Sequence, residues 1–377
     1  MTARVVLAPD SFKGSIRAAD AARALADGWR RVDPAAAIAL LPMADGGEGT
    51  LDAFAAAVPG ATPVSVEVTG PDGTRVAATW LLLPSEPGLP GGTGVVELAS
   101  TSGIELLGPQ RLPWDAGTAG FGQAVAAALA HGVSRLVLGI GSSASTDGGA
   151  GLLSALGARI TDAAGAPIAP GLRGLATAHA VDLTGLPALP AGGVLVLSDV
   201  TNPLTGPDGA AAVFGPQKGL GPVDIAAADA ALARWAELVG VDPRSPGAGA
   251  AGGVGTALRA WGARLAPGSA EVAALIALAP AIAGARVVVT GEGSFDGQSA
   301  AGKAPAHVAA LAADAGVPVA LVAGRIAGDA DTAGFAASVS LTELAGSVDA
   351  ALADPARWLR DAGARLAERL ACARRLA

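Results

Sequence analysis

Four times along this chain an apolar segment runs directly into a loop of small and polar residues that opens a helical pattern. This recurrence limits the fold more than any other feature. RVVLAP (4–9) leads through DSFKGS to IRAADAARALADGWRR (16–31), and IALLPM (38–43) leads through ADGGEG to TLDAFAAAV (50–58). SRLVLGI (134–140) continues into GIGSSASTDGGAG (139–151) and then GLLSALGA (151–158). ARVVVTG (285–291) leads through EGSFDGQSAAGK to a helix beginning near Pro305, and VPVALVAG (317–324) reads as a further buried strand. Continuous apolar strands alternating with helices predict a parallel sheet covered on both faces, an α/β fold of the Rossmann or flavodoxin-like kind. Ligands of such sheets sit beyond the carboxyl ends of the strands, where these loops fall.

The middle of the chain differs. PVSVEVTG (63–70), PDG and TRVAATWLLL (74–83) alternate around a turn and predict a hairpin. GVVELAS (94–100) follows a Pro/Gly loop, GVLVLS (193–198) is the clear strand of a Gly- and Pro-rich region, and helical patterns follow near 224–239 and 254–265. A length of 377 residues suits two domains. The economical reading is a parallel-sheet α/β domain of residues 1–62, 115–162 and 285–377. A second, dissimilar α/β domain of residues 63–114 and 163–284 is inserted into it.

Composition removes several classes of function. Hydrophobic residues make up 51% of the chain, charged residues 15%, and the net charge is −8. A nucleic-acid surface needs clustered cations, so none is expected. The most apolar stretch, 272–289, carries Pro280 and Arg286 and falls short of the ~20 clean apolar residues of a membrane span. Cys372 is the single cysteine, which excludes an intramolecular disulfide. The N-terminus reads as a first strand and not a signal peptide, consistent with a cytoplasmic protein.

Positive charge is written almost entirely as arginine. Lysine occurs only at Lys13, Lys218 and Lys303, each in a Gly- or turn-rich loop. A lysine is a compact point charge where an arginine is a planar fork, so three lysines so placed point to function in preference to chance.

Several motifs have both a structural and a functional reading. GQSAAGKA (297–304) resembles a phosphate-binding loop, but Ala304 stands where the metal-holding hydroxyl belongs, so it is not a true P-loop. Lys303 just before a helix start would still favour an anion between the two. ADGGEG (44–49) fits a capping box of Asp45 and Glu48, or else supplies a metal or substrate ligand. Asp147 reads as a helix N-cap, with Gly148 and Gly149 leaving room for a ligand. In SDVTNPLTG (198–206), Asp199 ends a strand beside the only asparagine, Asn202. That reads as an Asx-Pro turn or as the place where an α/β enzyme keeps a catalytic carboxylate. His131, His179 and His307 have no ligand spacing. Lysines, carboxylates and glycine-lined helix starts, without a nucleophile–histidine pair, are equipment for phosphoryl transfer.

Over nearly its whole length the sequence resembles the bacterial glycerate kinase family, type I. The likeness rests on VVLAPDSFKGS, PMADGGEGT, GIGSSASTDGGAG, DVTNPLTGPDGAAAVFGPQKG, PGAGAAGG and VVVTGEGSFDGQSAAGKAP, in that order. The chain departs at Ser294 and Phe295, where the family has an arginine in its GEGR-(I/L)-D segment, at Gly141-Ser142-Ser143 in place of Gly-Gly-Ser, and at DAGTAGFGQ (115–123). The resemblance implies ATP- and magnesium-dependent phosphorylation of D-glycerate to 2-phosphoglycerate, with the site in the cleft between two dissimilar α/β domains. It implies Asp199 and Lys13 as catalytic residues. It implies Asp10, Ser11, Asp45, Gly46, Gly47, Glu48, Ser143, Asp147, Gly148, Gly149, Asn202, Lys218, Glu292, Asp296 and Lys303 as substrate- or phosphate-binding, with the metal ligands unassigned. The small molecule is then the expected partner, with no nucleic acid or membrane, in a monomer or homodimer. A kinase of another small hydroxy acid, and a metabolite-binding regulator on the same scaffold, are the alternatives.

Overall fold

The computed structural model describes residues 4–12, 14–296 and 304–376. In chain order the strands are β1 (Arg4–Pro9), β2 (Ile38–Leu40), β3 (Thr62–Thr69), β4 (Arg75–Leu83), β5 (Thr93–Glu97), β6 (Arg135–Gly139), β7 (Arg159–Thr161), β8 (Ala180–Asp182), β9 (Val194–Leu197), β10 (Arg264–Ala266), β11 (Ala285–Phe295), β12 (Val319–Ile326) and β13 (Ala337–Ser340). The chain divides into two units. One comprises Met1–Asp45, Asp52–Pro59 and Ser269–Ala377, and the other Gly46–Leu51 and Gly60–Gly268.

The first unit is built on a sheet of order β13-β12-β11-β1-β2, in which every pairing is parallel. Numbered along the chain within this unit, that is the order 2-1-3-4-5 of flavodoxin-like sheets, with the switch between β1 and β11. Alternation along each strand explains why both faces are covered. Val5, Leu7, Val287 and Val289 share a core with Leu25, Trp29, Leu359 and Leu366. Val6, Val288 and Leu321 point the other way and are just as buried. The helix Ala18–Val32 supplies its stripe at i, i+3 and i+4 spacing: Ala18, Ala21, Ala22, Leu25, Ala26 and Trp29. Arg30 and Arg31 in its last turn complement the helix dipole.

The second unit has a sheet of order β10-β9-β6-β5-β4-β3. β5, β6, β9 and β10 run parallel, and the expected hairpin, β3–β4, adds an antiparallel edge. Trp80, Leu136 and Leu138 of its strands share a core with Phe121 and Trp235, which come from the helices Ala119–His131 and Pro222–Val239; the helix Ala250–Trp261 adds Val254 and Leu258. β7 and β8 form a separate two-stranded sheet.

Residues 115–162, assigned on pattern to the first domain, belong to the second unit. β6 lies between β5 and β9, in register with both. A continuous apolar strand looks the same in either sheet, and only its non-local partners decide. The junctions also differ from those at 62 and 284, falling at Pro59/Gly60 and Gly268/Ser269. Among the described residues no helix is long and apolar enough to cross a membrane.

Candidate active site

Parallel register sets Glu97 opposite Gly139, Gly139 opposite Leu197, and Leu197 opposite Ala266. Four strands of the second unit therefore end level, and the loops leaving them share one edge. The segment 46–51 crosses this edge. Gly141 N–H donates to the Gly46 carbonyl at 2.9 Å, and Gly49 N–H donates to Glu97 Oε1 at 2.7 Å. A Cβ on Gly46 would lie 2.3 Å from the Leu197 carbonyl oxygen, and its φ is +92°. Gly47 is equally close, its Cα 2.5 Å from where a Cβ on Gly141 would stand. The glycines of ADGGEG thus let one chain segment lie on another. The helix starts at Thr50 and not directly after Asp45, so Asp45 does not stand at its N-cap. Asp45 is half-buried and Glu48 exposed.

Glu97 escaped the sequence reading. It is a buried carboxylate at a strand end, and the signal was available: a charged residue closing an apolar strand. Asp199 lies on the same edge just beyond β9. Its side chain is exposed, with Oδ1 accepting from Gly268 N–H at 2.7 Å. Asn202 is occupied in building its loop, Nδ2 donating to the Asp208 carbonyl at 2.9 Å and its backbone carbonyl accepting from Gly249 N–H at 3.1 Å.

The stretch after β6 folds around Asp147. This carboxylate is fully buried. Oδ1 accepts from Ser145 Oγ (3.0 Å) and Gly149 N–H (3.1 Å). Oδ2 accepts from Thr118 N–H (3.0 Å), Thr118 Oγ1 (2.7 Å) and Gly151 N–H (3.3 Å). The N–H groups that a phosphate would need at Gly149 and Gly151 are therefore taken by the protein's own carboxylate. Gly148 N–H donates to the Gly252 carbonyl, and Trp235 Nε1 donates to the Gly148 carbonyl at 2.8 Å. A Cβ on Gly148 would meet Trp235 Cδ1 at 2.7 Å, and one on Gly149 would meet Ala257 Cβ at 2.5 Å. What approaches these two glycines is the protein itself.

Lys218 joins this network from the turn Pro216–Lys218. Its Nζ donates to Ser143 Oγ at 2.7 Å and to the Ser145 carbonyl at 2.6 Å. Burial pushes the ammonium down from 10.5 to about 7, and the charge of Asp147 acts the other way.

In the first unit, Asp10 and Ser11 follow β1 and Glu292 lies on β11 beside them, at the switch point of the sheet. Asp10 N–H donates to the Gly291 carbonyl at 2.8 Å, and Ser11 N–H donates to Asp10 Oδ1 at 2.7 Å. Glu292 is buried, and Asp296, just past the strand, is half-buried. Among the described residues no three His, Cys, Asp or Glu side chains gather as a metal cage. Lys13 and Lys303 lie outside the described residues.

A flavodoxin-like sheet with carboxylates at its switch point, and a second α/β unit whose level strand ends carry Glu97 and Asp199, define the class: an α/β enzyme acting on small molecules. The sequence model of the glycerate kinase family matches residues 5–371. The chain belongs to that family and is a phosphotransferase. It is 41% identical to the glycerate 2-kinase of Escherichia coli K12 over 86% of both chains. It is 40% identical to the glycerate kinase of Bacillus subtilis 168, over 87% of this chain and 86% of that one. A crystal structure described as a glycerate kinase 2 from Salmonella typhimurium LT2 matches with a TM-score of 0.85 at 39% identity, covering 100% of both chains.

Proposed function

We propose that this enzyme transfers the γ-phosphoryl group of ATP to the C2 hydroxyl of D-glycerate, giving 2-phosphoglycerate and ADP. Asp199 is the group we assign to the acceptor. The observation carrying this reading is its exposed carboxylate on the level strand-end edge, oriented by the Gly268 N–H. A carboxylate so placed accepts the hydroxyl proton as the alcohol oxygen bonds to the γ-phosphorus and the bond to the β-phosphate oxygen breaks. The name of the Escherichia coli relative supports position 2.

The donor set fits nucleotide-bound magnesium, which keeps several waters and takes one or two protein carboxylates together with phosphates. Asp10, just past β1, and Glu292, on the adjacent strand β11 at the switch point, are the pair we assign to it. When bound, the ion offsets phosphate charge. Lys13 and Lys303 are assigned on sequence alone to the same neutralisation.

ADP release over a panel of small hydroxy acids, with product analysis, tests the activity. D-Glycerate should give the highest kcat/KM and 2-phosphoglycerate the product; 3-phosphoglycerate would overturn the regiochemistry. Asp199→Asn should fold normally and lose about 10²-fold or more in kcat. A folded variant with near-normal kcat removes Asp199 from the mechanism.

A further inference from the structure

We propose that Lys218 is a positioning residue for phosphoryl transfer, holding the loop 141–147 across the strand-end edge through Ser143 and Ser145 without itself touching substrate. The inference rests on the reading above, in which that edge carries the acceptor chemistry.

The first observation is depth. Lys218 is 2% exposed, and a Cβ on Gly252 would lie 2.8 Å from its Nζ, so protein closes around the ammonium. It is enclosed where a phosphate-binding lysine would be open.

The second is that a lysine is a costly way to fill this space. Replacing buried charges by apolar side chains of similar volume is often neutral or stabilising. Asp147, the charge beside it, already accepts five hydrogen bonds from other groups. Lys218 is therefore not needed to satisfy it.

The third is the state of the loop it grips. Ser142 has φ +59° without being glycine, and the Thr146 hydroxyl is buried without a hydrogen-bond partner. Such costs persist where surrounding structure over-determines the backbone. Here the restraints are named: Ser142 O accepts from Ile104 N–H, Ala144 N–H donates to Ser102 O, and Lys218 holds the residues on either side of Ala144. At the loop's start Gly141 bonds to Gly46, two residues beyond Gly139, which stands opposite Glu97 and Leu197. Releasing the ammonium frees the loop to relax at Ser143 and Ser145, a few residues from that edge, and a misplacement of about 1 Å is enough to cost ~10²-fold in rate.

The test uses Lys218→Met, which keeps length and apolar volume, Ser143→Ala, which removes one acceptor, and the double variant. Wild-type turnover is measured first; if D-glycerate is not phosphorylated, the functional reading fails, and the cycle is run with whichever hydroxy acid turns over. Lys218→Met should unfold cooperatively and lose about tenfold to a hundredfold in kcat with both KM values within about threefold. Ser143→Ala should lose kcat in the wild-type background and little more in Lys218→Met, because both act through one contact. A folded Lys218→Met with unchanged kcat overturns the proposal. So does a large rise in one KM alone, which would make the lysine a ligand contact. If Lys218→Met does not fold, Ser143→Ala decides: a folded variant with wild-type kcat overturns the proposal, and a fall in kcat at constant KM supports it.

Discussion

Ser142 is exposed and stands at φ +59° in the loop after β6. For an L-residue the left-handed region costs roughly 1–2 kcal/mol, and glycine loses part of that advantage to its greater freedom when unfolded. Ser142→Gly should therefore stabilise the protein by about 0.5–1 kcal/mol, read as a higher urea midpoint at unchanged slope. A lower midpoint would mean that the serine side chain contributes more than its backbone costs. The same residue shows what a sequence conceals. Nothing in GSSAST marks the second position as strained, because φ is set by Gly46 on one side and by Ser102 and Ile104 on the other.

At the scale of elements, close packing between one loop and one helix decides what a glycine is for. The loop at Gly148 lies against the helix Pro222–Val239 through Trp235, and Gly148 itself holds φ +65°. Gly148→Ala should cost about 3 kcal/mol, from overpacking and left-handed strain together. Chemical unfolding would check it; a loss under about 1 kcal/mol would restore the reading in which the glycine makes room for a ligand. The alternation of apolar strands with small-residue loops was legible because each strand's burial is written locally. So was the hairpin, whose PDG turn gives Asp72 the Thr74 N–H and hydroxyl to accept from. The sheet to which β6 belongs was not legible, since its pairing with β5 and β9 depends on residues far along the chain. Gly148 and Gly149 were read as leaving room for a ligand, and the atoms that come near them are the protein's own, because a glycine does not say what approaches it. Lys218 was singled out by type, while its burial needed the fold.

For the whole molecule, the same lysine makes stability depend on pH in a definite direction. In the unfolded chain its proton is held to about 10.5, and in the folded chain it is released near 7. Below 7 both states carry the proton and the burial penalty stands in full. Between the two values the unfolded state binds the extra proton, so stability rises with pH, by up to about 1.4 kcal/mol per unit. The difference in unfolding free energy between wild type and Lys218→Met should therefore grow in favour of wild type from pH 7 towards 10. Parallel curves would mean that the folded protein keeps the lysine charged throughout.

The pairing of β1 with β11 has a consequence for how the polypeptide is made. β1 leaves the ribosome before the second unit, yet its inner neighbour begins only at Ala285, after the last residue of that unit, Gly268. Every strand of the second unit's sheet has by then been synthesised, so that unit has all its partners early. Val5, Val6 and Leu7 meanwhile have only β2 and the helix Ala18–Val32 to cover them. Biosynthesis thus parts the order of synthesis from the order of pairing: β1 is made before the second unit but completes its sheet after it, and closing that long loop is the slow step expected of folding.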